Sequence, residues 1–170
     1  YDLTAIVKKQ WIVDFCKLLI KNNLNVIWQL PSGTRSEAID GEVAFLLKQA
    51  GCRNLSYAPE SGSPEVLELI KKKMSIKKML ASMKSCVSEG LSVKVNIICG
   101  FPKETRKHLV ETIGFIIQTA WVGCRDMSIN QFSPYPGSEL FDDLLKANKV
   151  KLDENYFRGL SYYSSMTNAQ

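Results

Sequence analysis

The sequence predicts an α/β fold built as a parallel βα array, and three observations carry that prediction. Four β-rich runs recur along the 170 residues, helical patterns separate them, and each run ends in a Pro/Gly/Ser-rich segment holding a few polar side chains. Spacing from run to run is on the order of 30 to 40 residues, the size of one βα unit. Right-handed crossovers bring every strand-to-helix junction of such an array to the carboxyl rim of the sheet. Four elaborated junctions on one rim predict one site.

The elements follow in order. Ala5 to Asn22 reads as a helix with no strand before it, and a parallel unit needs its strand, so a piece of a longer chain is expected. The first strand is expected over Asn25 to Leu30. Asp40 caps the next helix, whose core face is Val43, Leu46, Leu47 and Ala50, and Gly51 sits where a left-handed residue ends it. Asn54 to Ala58 is the second strand. Ser63-Pro64 opens a short helix, because proline at the first helical position loses only an N–H that has no partner there. Ser75 and Gly90 bracket a helix with Met79, Leu80, Met83 and Val87 facing inward, and Val93 to Cys99 is the third strand. Thr105 begins a helix whose apolar set is Leu109, Ile113, Ile116, Ile117 and Ala120. Met127 to Phe132 is the last strand, and Ser161 to Gln170 is a polar tail.

A hydrophobic content of 45% suffices for a substantial core, and a net charge of +5 is modest. Lys71-Lys72-Lys73 with Lys77 and Lys78 reads as a solvated helix surface rather than a nucleic-acid patch. No window approaches the length of a membrane span and no secretory leader is present, so a soluble, cytoplasmic protein is expected. Cys16, Cys52, Cys86, Cys99 and Cys124 have no metal-knuckle spacing, which points to reduced, mostly buried thiols. The single His108 falls in a helical first turn. There is no nucleophile elbow, Walker loop or zinc-binding histidine pair.

The junction segments carry a resemblance. Leu30-Pro31-Ser32-Gly33-Thr34-Arg35, Ala58-Pro59-Glu60-Ser61-Gly62-Ser63, Asn96 through Thr105 with Gly100-Phe101-Pro102 at its centre, and Ser133-Pro134-Tyr135-Pro136-Gly137-Ser138 occur in an order and spacing that resemble the radical S-adenosylmethionine (radical SAM) superfamily. Within it, the set is similar to the cobalamin-binding type. The resemblance runs from about Asp2 to Leu160. It implies a partial (β/α)6 TIM-type barrel, covered here from the end of strand 2 to strand 6, with residues 1–160 as the later part of the catalytic barrel and 161–170 as a tail. It also implies that the protein binds SAM on a [4Fe-4S] cluster and cleaves it reductively to a 5′-deoxyadenosyl radical. The family's Cys-x3-Cys-x2-Cys cluster loop does not occur in these residues, so the cluster ligands, and by resemblance a cobalamin domain, are expected upstream.

Site residues are assigned on that basis. Glu60, with Ser61 and Ser63, would hold SAM through its ribose or ammonium; the plain alternative is that Glu60 and Ser63 cap the short helix. Asn96, Ile98 and Gly100 resemble the adenine-contacting strand, where an apolar side chain packs on the base and glycine permits close approach, although Gly100 also suits a tight turn. Glu104 reads as a helix-start residue. Arg35 would meet a carboxylate of substrate or methionine, or else form a rim ion pair. Tyr135 would stack on adenine or simply shape its loop. Asp2 aligns with the segment that meets the methionine amino group. The expected function is a part of a radical SAM enzyme acting on an unassigned small molecule, without nucleic acid. The alternatives are a non-catalytic scaffold and a (β/α) barrel that binds phosphate on the helix starts at Ser63 and Thr105.

Overall fold

A computed structural model describes Ile6 and residues 8–34 and 38–159. The first compact unit runs over residues 1–130 and the second over 131–170. In chain order the elements are α1 (Lys9–Lys21), β1 (Trp28–Gly33), α2 (Gly41–Gln49), β2 (Cys52–Glu60), α3 (Pro64–Leu69), α4 (Ile76–Ser88), β3 (Ser92–Cys99), α5 (Arg106–Val122), β4 (Asp126–Gln131) and α6 (Glu139–Lys146). The four strands form one sheet in the order β1-β2-β3-β4, and β1 pairs parallel with β2 and β2 with β3. The α/β parallel array is therefore present, with the helices supplying the crossovers.

Punctuation fixes the elements where the sequence placed it. Asp40 accepts the Val43 N–H at 3.1 Å, Ser75 accepts from Lys78, and Thr105 forms a capping box with His108. Gly51 has φ +90°, and a Cβ there would lie 2.0 Å from the carbonyl oxygen of Val26, so no other residue fits. That close approach is also why β1 begins at Trp28 rather than Asn25: the Trp28 N–H pairs with the Gly51 carbonyl, and Val26 and Ile27 stay exposed. β2 extends further than expected, through Pro59, which sits at a register irregularity where the missing N–H breaks no regular ladder.

The core lies between the sheet and the helices. Leu55 and Tyr57 of β2, Val93, Val95 and Ile97 of β3, Val43 and Leu47 of α2, Met79, Met83 and Cys86 of α4, and Phe115 of α5 are all buried in it. Tyr57 is fully buried, and its hydroxyl meets Ser82 at 2.8 Å and Cys86 at 3.3 Å, so the polar end carries no unmet hydrogen bond. The expected faces of α2 and α4 are the buried or partly buried ones. That of α5 is not. Its buried residues are Thr112, Phe115 and Thr119, with Ile116 packed alongside, whereas Leu109, Ile113 and Ile117 are exposed. The helix is rotated because Thr112 has hydrogen-bond partners at the β2–α3 turn, which outweighs the hydrophobicity of the other face.

Two outcomes follow. Gly51→Ala should lower stability by about 2–4 kcal/mol, from the left-handed backbone and the carbonyl clash together, read as a shifted urea midpoint. Val26 and Ile27 lie exposed just before β1, Trp11 and Leu18 are exposed on α1, and the outer edge of β1 pairs with nothing among the described residues. The 170-residue chain should accordingly self-associate in light scattering, and a monodisperse monomer would show that edge to be protected.

Candidate functional site

The carboxyl ends of β2 and β3 carry the candidate site. At the end of β2, Glu60 has φ +68°, a conformation that costs a non-glycine residue of order 1–3 kcal/mol and persists only where surroundings impose it. Its half-buried carboxylate pairs with the Lys72 ammonium at 2.8 Å. Lys72 follows the six-residue α3, which ends at Leu69. An adjacent acid and base of this kind complement the ammonium and carboxylate of an amino acid, or ribose hydroxyls.

Ser61 and Ser63 turn inward. Both are fully buried. Ser61 Oγ meets Thr112 Oγ1 at 3.1 Å and accepts the Ser63 N–H at 3.1 Å, and the Gly62 N–H donates to Thr112 Oγ1 at 3.2 Å. Ser63 Oγ donates to the Glu111 carboxylate, so it does not cap α3, although it stands at the N-cap position. The two serines shape the turn that presents Glu60, and their hydroxyls are already engaged within the protein.

At the end of β3, Asn96 and Ile98 are half-buried on the face opposite Val95 and Ile97. Gly100 has φ +90°, and its N–H donates to Glu104 Oε2. Glu104 is therefore not a helix-start residue: it precedes the N-cap Thr105 and folds back over the loop, because the Gly100 amide offers it a hydrogen bond. Its other oxygen, Oε1, is buried without a partner. An unmet carboxylate oxygen costs roughly 1–3 kcal/mol or more, and a ligand N–H or O–H donor at this rim would relieve it.

The remaining assignments are distributed otherwise. Arg35 and Asp2 lie outside the described residues. Tyr135 is 61% exposed and belongs to the second compact unit, where Tyr156 donates its hydroxyl to the Pro134 carbonyl. Sequence reasoning missed Lys72, Thr112 and the fold-back of Glu104. A lysine triplet gives no means of choosing its middle member, and the only trace of Thr112 is a threonine on a helix otherwise read by its apolar residues.

The cysteines do not fit an iron-sulfur cluster. All five are free, and no group of three or more His, Cys, Asp or Glu among the described residues converges on a metal position. Burial pushes the Cys16 thiol up to about 12 and those of Cys52, Cys86 and Cys124 up to about 11, which disfavours the thiolate that iron requires. Anaerobic reconstitution of this chain with iron and sulfide should leave no cluster absorbance after desalting; a stoichiometric cluster would contradict the burial of these thiols.

The chain is 29% identical over 158 residues to an uncharacterized methyltransferase of Pyrococcus horikoshii, covering 91% of the chain and 32% of the relative. It is 24% identical to the anaerobic magnesium-protoporphyrin IX monomethyl ester cyclase of Rubrivivax gelatinosus, covering 84% of the chain and 25% of that protein. The chain thus spans about a third or less of these relatives. The radical SAM methyltransferase TsrM of Kitasatospora setae, solved with cobalamin and a [4Fe-4S] cluster, superposes with a TM-score of 0.67 at 14% identity, over 85% of this chain and 31% of that one, which shows the fold to be shared. The radical SAM superfamily model matches residues 8–116, more than half the chain, and the chain belongs to that superfamily.

Proposed function

We propose that this chain is the part of a radical SAM enzyme's partial barrel that holds S-adenosylmethionine. The observation that carries the reading is Glu60, held in a left-handed conformation at a strand end and paired with Lys72, on the strand next to the one that ends just before Gly100. Glu60 and Lys72 exchange their mutual contact for the polar end or ribose of SAM. Ile98 packs on the adenine, Gly100 gives the ring room at the backbone, and Asn96 supplies a polar group beside it. Asp2 and Arg35 are proposed as further contacts. A [4Fe-4S] cluster would supply the electron for reductive cleavage of the S–C5′ bond of SAM, and the rim residues Glu60, Lys72, Ile98 and Gly100 would hold and orient the SAM molecule. The cluster is held by residues outside these 170.

A cobalamin-binding segment elsewhere in the same protein is supported by the likeness to relatives of that type, and a cytoplasmic location by the free cysteines. Residues 1–160 form the barrel part and 161–170 the tail. A phosphate-binding barrel is disfavoured by how the helix starts are used: Thr105 and His108 satisfy the first turn of α5, and the Ser63 hydroxyl is committed to Glu111.

In the chain extended upstream to include a Cys-x3-Cys-x2-Cys loop, Glu60→Ala should remove a charge-assisted hydrogen bond worth roughly 1.5–3 kcal/mol and weaken SAM binding about ten- to a hundredfold. Gly100→Val should weaken it at least as much, through crowding and a strained φ. Arg106→Ala, on the exposed start of α5, is the control. Anaerobic calorimetry reads the affinities. Unaltered binding in both rim variants, with circular dichroism unchanged, would leave the scaffold reading in place.

A further inference from the structure

We infer that Thr112 of α5 is a positioning residue of the SAM site, acting through the β2–α3 turn rather than by touching the ligand; the inference rests on the reading proposed above. Its single hydroxyl accepts the Gly62 N–H and bonds to Ser61, two of the three residues that follow Glu60. Thr112 is 2% exposed, so these bonds have no water to replace them.

The turn rests directly on the helix. A Cβ on Gly62 would lie 2.4 Å from Phe115 Cβ and 2.8 Å from Thr112 Cα, which leaves no space for the turn to move inward. Outward movement would break both bonds to Thr112. The same helix starts at Arg106, six positions after Gly100, and the intervening loop is closed by the Glu104 contact to the Gly100 amide. α5 is thus joined to the Glu60 turn at Thr112 and to the Gly100 loop at its N-terminus. Thr112 fixes the separation of the two rim positions that the ligand must span.

Substitution separates this role from packing. Thr112→Val keeps the shape and loses the hydroxyl, whereas Thr112→Ser keeps the hydroxyl and loses a methyl group. In the 170-residue chain, Thr112→Val should speed hydrogen exchange at the Gly62 amide at least tenfold, while Thr112→Ser should leave it protected. In the cluster-loaded extended chain, Thr112→Val should raise the Kd for SAM five- to twentyfold with 5′-deoxyadenosine formation at saturating SAM unchanged, and Thr112→Ser should stay within twofold of the parent. A purely structural role predicts the reverse order, because serine leaves a void and valine does not. Should Thr112→Val fail to fold, Ser61→Ala removes one bond of the same junction and should raise Kd in the same direction. A Kd unmoved by Thr112→Val despite fast Gly62 exchange would overturn the inference. If Glu60→Ala also left binding unchanged, it is the SAM assignment itself that would fall.

Discussion

The contact on which the rest of the rim depends is the close approach of the β2–α3 turn to α5. Gly62 lies against the Thr112 backbone and the base of the Phe115 side chain, at a separation that admits no side chain of its own. Three consequences follow from that one constraint. The rotation of α5 is set by it, which is why Phe115 enters the core while Leu109 and Ile113 face outward. Ser61 and Ser63 become interior residues, hydrogen-bonded to the helix rather than open to the rim. The chain then has to enter the turn from the end of a strand, and Glu60, immediately before it, takes the left-handed backbone.

The polar groups around this junction divide into two kinds. Ser61, Thr112, Ser63 and Glu111 satisfy one another, and such a closed network rigidifies the structure because each lost partner would leave a buried group unmet. Glu60, Lys72 and Glu104 are less complete. The Glu60–Lys72 pair is partly exposed, so its Coulomb energy is screened and it can be exchanged for a ligand at modest cost. Glu104 uses one oxygen on the Gly100 amide and keeps the other buried and unpartnered. Strain and unmet polarity gathered at strand ends are poor choices for stability alone. They make sense where a ligand completes the set.

The array and its punctuation were legible because they depend on local chemistry: a capping aspartate, a left-handed glycine and a β-rich run act within a few residues. Asp40, Ser75, Thr105 and Gly51 therefore stand in their expected roles. The face of α5 was not legible, since apolar spacing favours Leu109, Ile113 and Ile117, and the opposing term is a pair of hydrogen bonds to residues about fifty positions earlier. Glu104 misled for a related reason. Its position just ahead of a helix suggests the helix dipole, but the nearest donor is the amide of Gly100, and direct hydrogen bonding outweighs a dipole contribution of a few tenths of a kcal/mol. Glu60 could be found from the junction pattern, while its partner Lys72 was hidden in a run of like charges.

The cysteines show what this chain supplies. Cys16, Cys52 and Cys86 are fully buried hydrophobic packing groups, and desolvation holds their thiols in the protonated form. A thiolate able to bind iron needs the opposite surroundings, an exposed loop with nearby positive charge or backbone donors. The rim has those features at Lys72 and Gly100, and no cysteine is placed among them except Cys99, whose thiol is pushed up by burial and by the adjacent Glu104 carboxylate. The chain therefore contributes geometry: a rigid junction, an acid and base pair, and a glycine with open backbone. In the function proposed for the chain, these elements would bind and orient the adenosyl sulfonium, and the electron that cleaves it would come from a cluster they do not hold.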